Sequence, residues 1–155
     1  GAEASFEFLS RRSLGHVPDY FKLARFRVMA ERRWSARGDL VTESEATVTL
    51  DVHGDHVMTV ATGNGPVNAL DTALRKALIP LYPGLDDMRL VDFKVRIPTP
   101  QAGTEAITRV MIESADATGE RWSTVGVSGN IIDASYEALN DAITWKLLKA
   151  GQSAK

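Results

Sequence analysis

The sequence predicts an α+β fold in which two βββα units pack together as layered sheets and helices. Two observations predict it. The order strand, strand, strand, helix occurs twice along the chain, and the two copies correspond at an offset of 65 positions, at which Thr59-Val60 falls on Thr124-Val125. Ala69, Ala73 and Leu74 fall on Ala134, Ala138 and Leu139 at the same offset. Because a three-stranded sheet is small, each sheet needs a helix to cover one face.

Composition limits the class of protein. The chain has 155 residues, 44% hydrophobic and 25% charged, which is typical of an ordinary globular domain. A net charge of −2 with mixed signs gives no basic stripe for nucleic acid. The absence of cysteine excludes disulfides and thiolate metal sites, and we expect a cytoplasmic protein. We find no membrane-spanning run or signal peptide, and the start at Gly1 suggests a fragment of a longer protein.

The first copy begins after a predicted connector, residues 1–23. From Ala24 onward, Phe26, Val28 and Ala30 alternate with polar residues and Met29, which predicts a strand with one buried face. A turn follows at residues 37–39. Residues 47–52 and 57–62 then predict a β-hairpin, and Pro66 opens a helix that ends before Pro80.

The second copy repeats this order. Phe93-Lys94-Val95 echoes Phe26-Arg27-Val28, residues 108–114 and 121–127 form a second hairpin around residues 116–119, and residues 131–148 form the second helix. We therefore place repeats at 24–82 and 90–148 within one domain, 24–148, followed by a tail at 149–155.

Two strand-to-helix turns are the main candidates for binding. Gly63-Asn64-Gly65-Pro66 and Ser128-Gly129-Asn130-Ile131 occupy matching places in the two copies. Free N–H groups at a helix start, together with the helix dipole, favour an anion such as a carboxylate. We expect the two turns to frame one small polar pocket, although a short Gly-Asn-Gly alone is also common in plain turns.

Other candidate residues have simpler interpretations. His53 and His56 could suggest a metal pair but flank a hairpin tip, so a solvated turn is favoured. Asp92, expected to precede the strand at Phe93, could orient an ammonium group or simply cap a turn. Most of the remaining carboxylates are assigned to solvated loops; they are Asp86, Asp87, Glu113, Asp116 and Glu120. Most of the aromatic residues are assigned to core packing; they are Trp34, Trp122, Trp145 and Tyr136.

Three ordered blocks carry a resemblance to a known family. They are Gly63-Asn64-Gly65-Pro66-Val67-Asn68-Ala69-Leu70-Asp71, Asp92-Phe93-Lys94-Val95-Arg96-Ile97, and residues 124–135, which read TVGVSGNIIDAS. Together they resemble the C-terminal allosteric domain of the α-isopropylmalate synthase family, over roughly residues 1–148. Asn68-Ala69-Leu70-Asp71 and Lys94-Val95-Arg96-Ile97 look more like the citramalate synthase branch.

The resemblance implies a regulatory, homodimer-forming domain that binds isoleucine or leucine near the subunit interface. It also implies a parent enzyme whose metal-dependent TIM barrel, absent here, condenses acetyl-CoA with a 2-oxo acid, so this domain should hold no catalytic residue, metal or cofactor. By position, the family's effector pocket would be lined by Gly63, Asn64, Gly65, Pro66, Ala69, Asp92, Phe93, Val127, Ser128, Gly129, Asn130, Ile131 and Ala134. Phe93 stands where the family often has Tyr.

Two alternatives from other classes remain open at this point. One is a purely structural dimerisation module without an effector pocket. The other is a small independent enzyme that uses Asp92 or a histidine, although no assembled catalytic motif is present.

Overall fold

The structure, a computed structural model, describes residues 15–97 and 107–155. Its elements are β1 (Lys22–Trp34), β2 (Leu40–Val52), β3 (Asp55–Gly63), α1 (Pro66–Leu78), a short 3-10 helix (Pro83–Leu85), β4 (Arg89–Arg96), β5 (Thr108–Ala115), β6 (Arg121–Ser128) and α2 (Ile131–Lys149). The predicted pair of βββα units is confirmed. Most of the predicted connector, residues 1–14, lies outside the described residues.

The chain divides into two compact units, the first containing Asp19–Pro83 and the second Gly84–Ser153. In the first unit, β1, β2 and β3 form an antiparallel sheet in that order. Ala46, Val48 and Leu50 of β2 are fully buried on the face that α1 covers. Alternate residues of a strand point to opposite faces, so every second residue lies on the other, outer face.

The first two strands are longer than predicted. Phe26 and Val28 are half-buried, as the alternation indicates, but Ala30 is exposed, so the prediction of its burial was wrong. β2 begins at Leu40 rather than Thr47 because backbone pairing with β1 continues as far as Trp34↔Leu40. Backbone pairing cannot be read from the hydrophobic pattern. The polar stretch Glu43-Ser44-Glu45 also lacks the apolar residues by which a strand is predicted.

The tip of the first hairpin is a two-residue turn. Val52 pairs with Asp55, and both His53 (φ 54°) and Gly54 (φ 84°) adopt left-handed conformations. This geometry is that of a type I′ turn, whose twist matches antiparallel strands. The predicted position of His53 and His56 at an exposed hairpin tip is confirmed.

The second unit repeats the design, with β4, β5 and β6 in one antiparallel sheet covered by α2. Val110 and Ile112 of β5 are fully buried against the helix side. β4 begins at Arg89, so Asp92 lies inside the strand, and the prediction that it precedes the strand was wrong. The polar start, Arg89 and Asp92 around Leu90 and Val91, conceals the strand in the sequence.

The two units share details that the sequence pattern alone does not reveal. A strand irregularity lies between Leu23 and Arg25 in β1 and between Leu90 and Asp92 in β4. Since Phe26 corresponds to Phe93, the two irregularities occupy the same place. In both units a threonine hydroxyl on the third strand also donates to a helix carbonyl at 2.7 Å, Thr59 to Ala73 O and Thr124 to Ala138 O. These hydrogen bonds give the repeated threonine a physical role.

The helix of the second unit extends further than that of the first. α1 has 13 residues and α2 has 19, and the extra turns carry Trp145, Lys146 and Lys149. Trp122 and Trp145 are buried, which confirms core packing for both, and the indole of Trp122 donates to Ala142 O at 3.1 Å. Trp34 is 71% exposed and is thus an exception to the core packing expected for most of these residues.

Candidate functional site

The turn between β3 and α1 leaves the start of its helix open. Gly65 is the N-cap residue, no side chain accepts a hydrogen bond from the first turn, and no acidic residue lies there. Pro66 has no N–H group, so Val67 and Asn68 supply the first free donors of the helix. Asn68 Nδ2 donates to Asn64 Oδ1 at 2.8 Å, which ties the turn to the helix.

The two glycines of this turn have different roles. A Cβ on Gly63 would lie 2.7 Å from the backbone nitrogen of Ala69, so Gly63 allows the strand and helix to approach closely. A Cβ on Gly65 would meet nothing within 4 Å, and its extended backbone suits any residue. Gly63 therefore serves the fold, whereas Gly65 leaves open space in front of the helix start.

The corresponding turn of the second unit is closed by its own side chains. Asn130 caps α2, and its Oδ1 accepts from the N–H groups of Ile132 at 2.7 Å and Asp133 at 3.3 Å. Ser128 Oγ accepts from the N–H of Asn130 at 3.2 Å. The carboxylate of Asp133 further disfavours an anion at this end. Of the two predicted turns, the one at Gly65 is the better suited to an anion.

Ala69 and Ala134 lie where each helix comes closest to its own sheet. Both are fully buried, and a Cβ on Gly126 would lie only 1.9 Å from Ala134 O. Small residues at these positions are explained by helix-to-sheet packing. The structure therefore gives both alanines a packing role, whatever else they contact.

Asp92 and Phe93 lie on opposite faces of the second sheet. Asp92 pairs with Glu113 and Phe93 with the buried Ile112, so Phe93 shares the face that α2 covers. Phe93 is 40% exposed there, and Asp92 is exposed on the other face, where its Oδ1 accepts from the Phe93 N–H at 2.8 Å. The strand thus separates the two side chains that the sequence suggests as neighbours.

Val127 and Ile131 flank the second turn as exposed apolar side chains, 41% and 42% exposed respectively. Gly129 lies between them in the bend before Asn130. The second unit therefore carries Phe93, Val127 and Ile131 as exposed apolar side chains, with Phe93 and Val127 on opposite faces of the sheet.

Several carboxylates assigned to solvated loops are instead held in ion pairs. Lys146 Nζ lies 3.0 Å from Asp116 Oδ2 and 3.2 Å from Asp87 Oδ1. Asp116 is buried, and a hydrogen bond from the Thr118 hydroxyl, together with Lys146, lowers its pKa. Asp116 is an exception to the solvated loops expected for most of these carboxylates, because α2 extends far enough to bring Lys146 over it.

Sequence reasoning also missed a buried charge on α1. Asp71 is 3% exposed and forms an ion pair with Arg75 at 2.9 Å, one helical turn away. Burial raises the pKa of the Asp71 carboxyl, and the Arg75 guanidinium partly offsets that effect. The i,i+4 spacing of Asp71 and Arg75 is the sequence signal that predicts such a pair.

The two turns present helix N–H groups and exposed apolar side chains. Within residues 15–97 and 107–155, no cluster of three or more His, Asp or Glu side chains could hold a metal ion. None of the helices within those residues has the length and apolar character needed to cross a membrane. One cavity of about 230 Å³ lies by Asp116, Trp122 and Trp145, and another of about 340 Å³ by Asp19, Lys22 and His53. Neither cavity includes a residue of the two candidate turns.

These observations define the class of protein as a duplicated βββα domain with one open helix start. A family model described as "LeuA allosteric (dimerisation) domain" matches residues 1–147. The chain belongs to this family.

The names of similar proteins support this family membership. The chain is 51% identical to an (R)-citramalate synthase of Aquifex aeolicus over 148 residues, 96% of this chain and 27% of the relative. It is 51% identical to an (R)-citramalate synthase of Geobacter sulfurreducens, over 97% of this chain and 28% of the relative. A 2-isopropylmalate synthase of Aquifex aeolicus is 35% identical over 67% of this chain and 18% of the relative. The chain spans little more than a quarter of the length of the citramalate synthases.

Proposed function

We propose that this domain binds a branched-chain amino acid, isoleucine or leucine, as the feedback effector of a citramalate or 2-isopropylmalate synthase. The open start of α1 at Gly65 is the observation that carries the proposal. Free N–H groups at a helix start bind carboxylates, and the space in front of Gly65 admits one. The family's description as an allosteric domain supports a regulatory role.

Different parts of the effector need different surroundings. The carboxylate accepts hydrogen bonds from the N–H groups of Val67 and Asn68. A branched side chain needs apolar surface, and the exposed Phe93, Val127 and Ile131 are separate candidates for it, since Phe93 and Val127 lie on opposite faces of the second sheet. The ammonium group needs a carboxylate, and Asp92 is the candidate that the sequence supplies.

The parent enzyme belongs to the same proposal. In the parent enzyme, a metal-dependent barrel outside this chain condenses acetyl-CoA with a 2-oxo acid in the cytoplasm. Effector binding to this domain lowers the activity of that barrel. Such coupling requires the effector to bind one subunit arrangement more tightly than another.

Calorimetric titration of the chain with isoleucine, leucine and valine tests the proposal. An amino acid of about nine heavy atoms should bind with a dissociation constant between a few micromolar and a millimolar. Gly65→Leu should remove the heat by filling the space in front of the helix. Gly84→Leu, at an exposed glycine that also has nothing within 4 Å, should bind like the unmodified chain. Flat traces with all three amino acids would contradict the proposal.

A structural dimerisation module without an effector is the second candidate, favoured by the family's dimerisation role. It predicts dimers in sedimentation equilibrium without any amino acid. It also predicts a melting temperature that isoleucine and leucine leave unchanged, because a ligand that does not bind cannot stabilise the fold.

A further inference from the structure

The first two strands of the first unit extend beyond the third. The last backbone pair between β2 and β3 joins Ser44 to Gly63. Beyond this row, β1 and β2 continue to pair with each other, and their last pair joins Trp34 to Leu40. At a rise of about 3.3 Å per residue, this extension is about 13 Å long. We call the two-stranded extension, residues 31–43, the arm.

The tip of the arm is an ordered turn. The N–H of Ser35 donates to Asp39 O at 2.8 Å, and the N–H of Gly38 donates to Ser35 O at 2.9 Å. Ser35 Oγ also accepts from the N–H groups of Arg37 at 3.3 Å and Asp39 at 3.1 Å. These hydrogen bonds hold the two strands of the arm in register, so the side chains of the arm have defined positions.

One face of the arm carries two exposed apolar side chains. Ser44 is buried on the face of β2 that α1 covers. Because side chains alternate along a strand, Thr42 and Leu40 lie on the same face beyond Ser44. Their partners on β1, Arg32 and Trp34, share this face. Trp34 is 71% exposed and Leu40 is 47% exposed, so the arm presents an apolar pair on the helix side of the sheet.

The arm extends along the space at the open start of α1. The turn before α1 begins at Gly63, in the row of Ser44, where the arm also begins. A Cβ on Gly63 would lie 2.7 Å from Ala69 N, so the helix crosses this row close to the sheet. From there α1 runs back over β2 and β3, and its first turn lies on the side of the arm. The free N–H groups of Val67 and Asn68 therefore point into the space above the arm.

We infer that Trp34 and Leu40 form the apolar part of the effector site at the start of α1. The inference rests on the proposed function, because it takes the effector carboxylate to lie at the N–H groups of α1. Arg32 and Thr42 lie between the row of Ser44 and the apolar pair, so the Arg32 guanidinium adds attraction for that carboxylate. The branched side chain of the effector then extends outward over Trp34 and Leu40.

The arm gives the site its preference for a branched side chain. Glycine and alanine carry the same charged groups as isoleucine, so the helix N–H groups and Arg32 attract all three alike. Only the larger side chain covers Trp34 and Leu40, and each methylene group removed from water improves affinity roughly fourfold. A two-stranded ribbon is marginally stable without further packing, so a ligand that covers the apolar pair also stabilises the arm.

Calorimetric titration of the 155-residue chain with isoleucine tests the inference. Trp34→Ala and Leu40→Ala should each raise the dissociation constant about tenfold, because each removes apolar contact with the effector. Trp34→Phe keeps an aromatic ring and should stay within about threefold of the unmodified chain. Met58→Ala is the matched control, since Met58 is 62% exposed on the opposite face of the same sheet, and it should also stay within about threefold. Circular dichroism confirms that each variant folds.

The fluorescence of Trp34 gives a second measurement. Trp122 and Trp145 are buried, so acrylamide quenches mainly the exposed Trp34. Saturating isoleucine should lower the quenching constant at least about twofold, because the bound side chain covers the indole. Glycine at the same concentration should leave the quenching unchanged. Trp34→Phe should bind isoleucine but lose this response, which shows that the signal comes from Trp34.

The results separate the inference from the proposed function. Heat of binding with unchanged affinity in both Trp34→Ala and Leu40→Ala, or equal weakening by Met58→Ala, would overturn the inference and leave the proposed function standing. Unchanged quenching of Trp34 under bound isoleucine would overturn it as well. Dissociation of dimers by Trp34→Ala without loss of isoleucine affinity would assign the arm to a subunit contact instead. Flat traces with the unmodified chain would reject the proposed function and the role of the arm together.

Discussion

Replacing Gly65 by Asn separates binding from stability at the start of α1. The substitution copies Asn130, whose side chain accepts from two N–H groups at the start of α2. Both N-cap backbones are extended, with φ −169° at Gly65 and −119° at Asn130, and the space around a Cβ at Gly65 is open. The new side chain should therefore occupy the N–H groups of Val67 and Asn68 without strain.

Gly65→Asn should raise the stability of the fold and weaken the binding of the effector. An Asn cap is better than Gly by a few tenths of a kcal/mol, and removing a glycine also reduces unfolded-state entropy. For a chain of this length the melting temperature should rise by about 1–3 °C. Hydrogen bonds to a charged group contribute about 1.5–3 kcal/mol, so losing the effector carboxylate should weaken binding roughly 10- to 150-fold.

The assay pairs thermal denaturation with calorimetric titration of isoleucine and leucine. Gly65→Ala is the control, because it adds a Cβ in the same open space but no acceptor for the N–H groups. It should bind within about threefold of the unmodified chain and melt no higher, since Ala is a poor N-cap. Unchanged affinity in a more stable Gly65→Asn variant would refute the assignment of the carboxylate to this helix start.

The other predictions concern the fold and are measured by urea denaturation. Gly126→Ala should destabilise the chain by more than about 3 kcal/mol, because its Cβ meets a backbone carbonyl that cannot move away, while Gly84→Ala should stay within about 0.5 kcal/mol. Thr59→Val and Thr124→Val should each lower the free energy of unfolding by about 1 kcal/mol, because each removes one hydrogen bond. The two losses should add in the double variant, and a loss clearly greater than the sum would show that the two sites are coupled. Asp116→Asn should lower the free energy of unfolding at pH 7. The pKa of Asp116 is lower in the folded state than in the unfolded state, so its carboxylate stabilises the fold above the unfolded-state pKa. This stabilisation disappears as the pH falls through the folded-state pKa. An equal difference between variant and unmodified chain at pH 2 and pH 7 would argue against that contribution.

The repeat made the fold predictable from sequence. The hydroxyl of Thr59 and that of Thr124 each donate a hydrogen bond to a carbonyl of the helix that follows. The constant sequence offset between the repeats therefore reflects the same geometry. Strand ends were harder to predict, because Leu40 joins β2 through backbone pairing and no side-chain pattern records it. The polar residues Arg89 and Asp92 likewise hid the start of β4, so the sequence did not show that Asp92 lies within a strand.

The candidate site was predictable in position but not in chemistry. The sequence indicates two matching turns, and the offset that aligns them also places Asn130 on Gly65. That difference determines which helix start is open, but only the geometry shows Asn130 Oδ1 accepting from Ile132 and Asp133. Phe93 and Asp92 are adjacent in sequence, yet strand alternation sends them to opposite faces.

On the proposed function, the unequal helix starts also set how many effector molecules a dimer should bind. Duplication of the βββα unit would by itself give four equivalent anion positions per dimer, but Asn130 already fills the one on α2 in each chain. Saturation should therefore occur at one amino acid per polypeptide. A regulated enzyme with two such positions, one from each subunit, responds to its end product over a narrower concentration range when those positions are linked than when they act alone.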